Sequence, residues 1–475
     1  MSHDPELESR LSRLQNSPHG SCLLWRLLAD PDGIRYGTGS PPPIVAKSDA
    51  SVPFIRATDI KDGEIQRDSL LYIDREQPAK MGKCLLSGGE LIIVRSGVNT
   101  GDCAPVPADL AGAYAAYDLI LRFNYGEGAV RPEFIAAFLD TVTGRSQLNV
   151  LKGRSAQPHV NADEVRSLLV PRPSDDVQKR LLDDLDFART VRREKLTQVD
   201  ALLASLDDFV LDVLGLTLPP PGVRTSYAVR LRDARQRFDP DYNSPRFRTL
   251  RDQIEHGKYP AKSVGSLFSP IVSGFAAGRD DQTDDPVLGV PHIRPLNITN
   301  NAELTFEGTK MVPRSTVASD DFLNQGEILF NNTNSTAWVG KSVVFNADRD
   351  CACSNHITRL TLIDKRHSPY YFAAFFNALR GLGFFGLLST NFNNQAGINV
   401  ETLKAVRVPV PDPKTSVQQE IAGEIARRRE QARHLRDEAR IVWEDAQSRF
   451  EEELLGPESS AEDSNTGDTK GGRKQ

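Results

Sequence analysis

The sequence predicts an α+β protein built twice: two pseudo-symmetric α/β domains separated by a pair of long antiparallel helices that form a coiled coil. Three observations predict it. Segments recur in one register, short β-rich runs precede a helical stretch in each copy, and each copy ends in a long apolar stripe at heptad-like spacing. Val52-Pro53-Phe54-Ile55-Arg56 returns as Val290-Pro291-His292-Ile293-Arg294, an offset of 238 residues. Pro132-Glu133-Phe134-Ile135-Ala136-Ala137-Phe138 returns as Pro369-Tyr370-Tyr371-Phe372-Ala373-Ala374-Phe375 at 237. Gln157-Pro158-His159-Val160-Asn161 becomes Gln395-Ala396-Gly397-Ile398-Asn399, and Val170-Pro171-Arg172-Pro173 becomes Val408-Pro409-Val410-Pro411, both at 238. So long a period far exceeds that of solenoid repeats, so each copy can hold its own core.

In chain order, residues 1–173 form the first domain, 174–216 a long helix, 217–231 a linker, 232–412 the second domain, 413–456 a second long helix and 457–475 a disordered tail. Glu90-Leu91-Ile92-Ile93-Val94 and Glu327-Ile328-Leu329-Phe330 are β-rich runs bounded by turn residues and predict strands of a mixed sheet. Pro132 and Pro369 each open a helix at a first-turn position, with Phe134 and Phe138, or Phe372, Phe375 and Phe376, as its apolar stripe. From Val177 the apolar series Leu181, Leu185, Ala188, Val191, Val199, Leu202, Leu206, Val210, Val213 runs without an internal proline. From Val417 the series is Ile421, Ile425, Ala432, Leu435, Ala439, Val442, Ala446, Phe450, Leu454. Helices of roughly 55 Å must bury such stripes along their length, and each is the simplest partner for the other. Pro219-Pro220-Pro221 supplies the break that reverses the chain.

Composition is that of an ordinary soluble globular protein, 39% apolar and 26% charged. No stretch reaches the roughly 18 apolar residues of a membrane span, and Met1-Ser2-His3-Asp4-Pro5-Glu6 lacks the basic and apolar regions of a signal peptide, which predicts a cytoplasmic protein. Five scattered cysteines, Cys22, Cys84, Cys103, Cys351 and Cys353, suit reduced and mostly buried thiols. The net charge of −6 sits mainly on the helices, where residues 175–214 hold ten acids against six bases and residues 414–453 ten against eight. Each globular copy is therefore near neutral and free to carry a local basic patch.

Three fragments resemble catalytic motifs and fail on inspection. Gly340-Lys341-Ser342 ends like a phosphate-binding loop, but Ser335 replaces the glycine five residues earlier, so a strand turn is expected. Asp239-Pro240-Asp241-Tyr242 has an acid where adenine methyltransferases have proline, and is expected to be a turn entering the second domain. Cys351-Ala352-Cys353 with His356 lacks zinc-finger spacing and is expected to be a strand with one buried and one exposed thiol. No metal, cofactor or catalytic residue is assigned to the chain.

Polar loops at matching places carry side chains that can read base edges, since Arg pairs bidentately with guanine and Asn or Gln with adenine. Arg95, Ser96, Asn99 and Thr100 in the first copy face Asn331, Asn332 and Asn334 in the second. Lys152, Arg154 and Gln157 face Asn391, Asn393, Asn394 and Gln395. Arg35, Tyr36 and Thr38 lie early in the first copy and could add phosphate contacts. For any one loop, Asn and Gly making a turn is an equal alternative.

Together the residues resemble the specificity subunit of type I restriction-modification systems. The likeness rests on the Val-Pro-x-Ile-Arg strand, Gly89-Glu90-Leu91 with Gly326-Glu327-Ile328, the Gln-x-x-Val/Ile-Asn segment, the Val-Pro-x-Pro exit, Val177-Gln178 with Val417-Gln418, and the Leu-Gly helix ends, repeated twice in register. It implies two target-recognition domains, each reading one half of a bipartite double-stranded DNA sequence, with the paired helices as spacer. It also implies two methyltransferase subunits that use S-adenosylmethionine and motor-nuclease subunits that use ATP and Mg. The opening, Met1 to Arg26, does not align with Arg232 to Arg246. A DNA-recognition part of another defence complex, or a two-domain protein scaffold, are the alternatives.

Overall fold

The computed structural model describes residues 5–29, 33–77, 79–124, 126, 128–152, 158–218, 226–231, 238–285, 287–392 and 395–456. The tail 457–475 and the proline run 219–221 lie outside them. The chain divides into two compact units, one of residues 1–194 with 438–475 and one of residues 195–437.

In the first unit a four-stranded sheet runs in the order Ile34–Tyr36, Leu119–Leu121, Leu91–Ile93, Cys103–Pro105. A second sheet pairs Ser51–Ile55 with Leu71–Asp74 antiparallel and with Tyr114–Ala115 parallel. Ser21–Leu23 pairs with Leu169–Pro171 and closes the start of the domain onto its exit. The β-branched and Leu-rich strands are apolar on both faces because the sheet is covered on both. On one side Phe134, Phe138 and Leu139 of the helix Pro132–Leu139 pack against it; on the other lies a small core of Ile55, Ile60 and Val106.

The second unit repeats this plan. Phe268–Ser273, Ile357–Leu362, Ile328–Asn331 and Ser342–Val344 form a sheet in the same order, and Gly289–Ile293 again pairs antiparallel with Lys310–Pro313 and parallel with Ala352–Cys353. Ala261–Ser263 closes onto Arg407–Pro409. Its core is richer in aromatics: Phe330, Phe376 and Phe385 meet edge to face at centroid distances of 5.1 to 6.2 Å. Such pairs add to plain area burial.

The duplication extends further toward the N-terminus than the sequence reading placed it. The amphipathic helix Pro5–Gln15 buries Leu7 and Leu14, and Pro245–His256 buries Leu250 and Ile254 in the same place before the first strand. Its counterpart thus starts only at the end of Arg232–Arg246 and runs on to His256, at an offset of 240.

The long helices are Asp175–Leu214 and Val417–Leu455. Within the first unit they run antiparallel: Arg180 pairs with Glu453, Arg189 and Arg192 lie over Trp443 at 5.4 and 5.7 Å, and Leu181, Leu185 and Ala188 share a core with Ala446, Phe450 and Leu454. Within the second unit Arg428 donates to the Ser205 hydroxyl at 2.8 Å and lies over Phe209 at 4.7 Å, and Leu206 and Val210 share a core with Ile421 and Ile425. The helix pairing is antiparallel in each. A buried glutamine fixes each helix start to its own domain. Gln178 accepts from the Arg131 backbone N–H at 2.8 Å and donates to the carbonyls of Pro173 and Ala129. Gln418 accepts from Ser368 N–H at 2.9 Å and donates to Pro411. Arginines one turn apart then tether a loop of the second sheet: Arg192 to Asp62 and Arg189 to Glu64 in one unit, Arg433 to Glu303 and Arg429 to the Asn301 carbonyl in the other.

The expected turns at Asp239–Tyr242 and before Ser342 are present, with the Tyr242 N–H on the Asp239 carboxylate and the Ser342–Val344 strand following Gly340. One cysteine expectation is corrected. Cys351 and Cys353 are both buried, because the strand lies between two small cores: the thiols enter one and Ala352 enters the other.

Candidate nucleic-acid interface

The loop Arg95–Gly101 leaves the central strand Leu91–Ile93 and projects Val98 fully into solvent. Gly97 and Gly101 supply the left-handed backbone that the tight turn needs. Arg95 is half-buried, with its guanidinium 4.9 Å from the Tyr36 ring and 4.5 Å from the Tyr117 ring. Tyr36 is held in turn, since its hydroxyl accepts from the Ala162 N–H. Behind them Asp118 accepts from the Arg95 backbone N–H at 3.1 Å, and burial pushes its carboxyl above the usual range against the opposing pull of Arg95. Arg35 and Ser96 are exposed, and Thr38 caps its own turn through Ser40. Lys152 donates to Asn149 beside Gly101, with burial first and then Arg145 holding its ammonium below the ordinary lysine range.

In the second unit the corresponding surface is a three-stranded sheet of Thr333–Asn334, Gln395–Gly397 and Thr390–Phe392. Asn391 and Gln395 are exposed on it and Asn334 is half-buried, its carboxamide oxygen accepting from Ser335 N–H. Arg154, Gln157, Asn393 and Asn394 lie outside the described residues.

Three expected reading residues have other duties. The Thr100 hydroxyl donates to the carbonyls of Gly97 and Pro158, and Thr100 is buried. Asn331 is buried and donates to the Trp338 carbonyl, which shapes the next turn. Asn332 is 6% exposed, and its amide nitrogen reaches Ser273, Asn355 and Thr358. A buried amide bonded on every side holds the backbone and has no donor left for a base. Asn161 and Asn399, which end the repeated Gln-x-x-Val/Ile-Asn segment, are likewise helix N-caps, accepting from Glu164 and Thr402 N–H groups.

Residues 275–425 match the family model of the type I restriction modification DNA specificity domain. That segment, about a third of the chain, is thus a DNA specificity domain of the type I restriction-modification kind. The matched segment lies in the second copy, and the first copy repeats its strand order. Among solved structures the fold of the whole chain is similar to that of a chain from a study of complex assembly and conformational transition of the type I R-M system, 16% identical over 92% of this chain and 97% of that one, with a TM-score of 0.52. An HsdS subunit from Thermoanaerobacter tengcongensis is 16% identical over 92% and 97%, with a TM-score of 0.38, and a type I S subunit from M. genitalium 8% over 93% and 96%, with a TM-score of 0.42. No curated protein matches the chain.

Among the described residues no group of three or more His, Cys, Asp or Glu is placed to hold a metal, and no helix is long and apolar enough to cross a membrane. Sequence reasoning missed Tyr117, because an exposed aromatic beside a cation is visible only once the strands are paired. Lys341, from the rejected Gly340-Lys341-Ser342 fragment, is 5% exposed and lies 4.9 Å from the Trp338 ring. Burial, then Arg380, lowers the Lys341 ammonium to about 8. In the window from about 8 to the ordinary lysine value of 10.5 the unfolded chain binds more protons than the folded one, so stability rises with pH. Thermal unfolding of Lys341→Met is expected to lose that rise and to gain stability at pH 7. An unchanged rise would place the titration elsewhere.

Proposed function

We propose that the chain is a type I DNA specificity subunit, that each globular copy reads one half of a bipartite duplex target, and that the paired helices set the unspecified spacer between the halves. The observation that carries this reading is the duplication itself: one strand order, repeated, presents chemically different loops at equivalent places. A shared scaffold with different loops suits two different half-sites better than one continuous site. Arg35, Tyr36, Thr38, Arg95, Ser96, Asn99 and Lys152 would contact DNA from the first copy, and Asn334, Asn391 and Gln395 from the second. Arg154, Gln157, Asn393 and Asn394 join them as sequence-based candidates.

The chain itself would catalyse nothing and bind no cofactor. Two methyltransferase subunits would bring S-adenosylmethionine, and motor-nuclease subunits ATP and Mg. Half-sites one duplex turn apart, about 34 Å, present successive major grooves on one face of the DNA. Helices of 40 and 39 residues are about 60 Å long, enough to hold domains at that separation.

Binding of the full chain to duplex containing its target is expected to weaken steeply with salt. A footprint of six or more phosphates loses about a thousandfold in affinity between 50 and 200 mM salt. Salt-insensitive binding, or none in the presence of the methyltransferase subunits, would favour a protein scaffold instead.

A further inference from the structure

The two copies handle one corner of the fold in opposite ways. In each, the strand after the Gly-Glu pair reaches the same corner, at Arg95 in the first copy and at Asn332 in the second, 237 residues apart. Its neighbour on the edge strand is Tyr36 in the first and Ser273 in the second, also 237 apart. The equivalence is structural: Gly37 N–H donates to the Asp118 carbonyl and Gly274 N–H to the Ile357 carbonyl. Asn332 turns inward and bonds Ser273 and the Asn355 carbonyl, which closes the corner. Arg95 lies instead over the Tyr36 and Tyr117 rings, with Tyr117 47% exposed.

Among the described residues the Arg95 guanidinium makes no hydrogen bond or ion pair, and its Nε is buried without a partner. Two ring contacts hold a planar cation in place without using its in-plane donors. Held so, the terminal N–H groups can meet a planar pair of acceptors, which is what guanine offers in the major groove at O6 and N7. Adenine presents a donor beside its N7, and a phosphate does not need the plane fixed.

We propose that Arg95, set by Tyr36 and Tyr117, binds the major-groove edge of one guanine in the half-site read by the first copy, and that the closed corner of the second copy makes no equivalent contact. This rests on the reading of the chain as a bipartite DNA reader. Arg95 touches the base; the tyrosines are positioning residues.

The test is selection from a random duplex library by the full chain with its methyltransferase subunits, followed by sequencing, for wild type, Arg95→Ala, Arg95→Lys, Tyr117→Leu and Asn332→Ala. Thermal unfolding identifies any variant that fails to fold, and Arg95→Lys keeps the charge while losing the paired donors. Wild type is expected to select two half-sites. Both Arg95 variants should lose about tenfold or more in preference for guanine at one position of one half-site, with every other position kept. Tyr117→Leu should lose preference at that same position. Weaker binding spread evenly over all sequences would make Arg95 a phosphate contact and overturn the proposal, as would an unchanged motif in folded Arg95→Lys. Asn332→Ala changing one base preference would overturn the second half. A wild type that selects no motif would instead overturn the DNA-reading function on which the proposal stands.

Discussion

A matched insertion of seven residues in both long helices is expected to lengthen the spacer between half-sites by about three base pairs while leaving each half-site sequence unchanged. Inserting one heptad between Val199 and Leu202 requires a second one opposite, because Arg428 reaches Ser205 and the helices run antiparallel, so Gln431–His434 faces that stretch. A one-sided insertion would leave two turns unpaired. Seven residues add about 10 Å of helix, and base pairs rise about 3.4 Å each. The heptad also keeps the apolar seam nearly in phase, so buried Val199 and Ala432 keep their helix faces. Three base pairs turn the duplex by about 100°, so affinity should fall even as the preferred spacing moves. Sequencing of selected or methylated sites gives the spacer directly. An unchanged spacer in a folded, DNA-binding variant contradicts the role of the helices as a ruler.

Arg359→Leu is expected to destabilise the second unit by about 3 to 5 kcal/mol. Arg359 and Glu327 are both almost wholly buried, joined by bonds of 2.9 and 3.1 Å, and the guanidinium also donates to the carbonyls of Asp320 and Phe322. Removing it leaves the Glu327 carboxylate with only the Thr361 hydroxyl and the Asn324 N–H, and frees two carbonyls of their donor. Burying an uncompensated charge costs far more than an ion pair gains, so the added substitution Glu327→Met should restore part of the loss. Hydrogen exchange is the suitable readout, with protection lost in Ile328–Asn331 and Ile357–Leu362 and kept in Leu91–Ile93 and Leu119–Leu121. A loss below about 1 kcal/mol would mean that water reaches Glu327.

Much of the fold is legible in the repeat, because residues that shape a backbone must recur wherever that backbone recurs. Gln178 and Gln418 clamp helix starts, Asn161 and Asn399 cap short helices, and Glu90 and Glu327 close the turn before the central strand. The N-terminal helix escaped notice because a surface helix specifies only its buried positions: Leu7 and Leu14 against Leu250 and Ile254 are a thin signal. Base-edge chemistry is less legible for a related reason. Asn and Thr serve turns as readily as bases, and Thr100, Asn331 and Asn332 are occupied by their own loops. Arg95 could be picked from sequence, but the pair of rings that holds it comes from two strands 81 residues apart, Tyr36 and Tyr117.

The most direct test is to co-express the chain with the methyltransferase subunit proposed as its partner in a host lacking other DNA methylation and to map modified bases across the genome. The account predicts a bipartite motif, two short specified halves around an unspecified spacer of constant length. A single contiguous motif, or a stable complex that modifies no defined sequence, would contradict it.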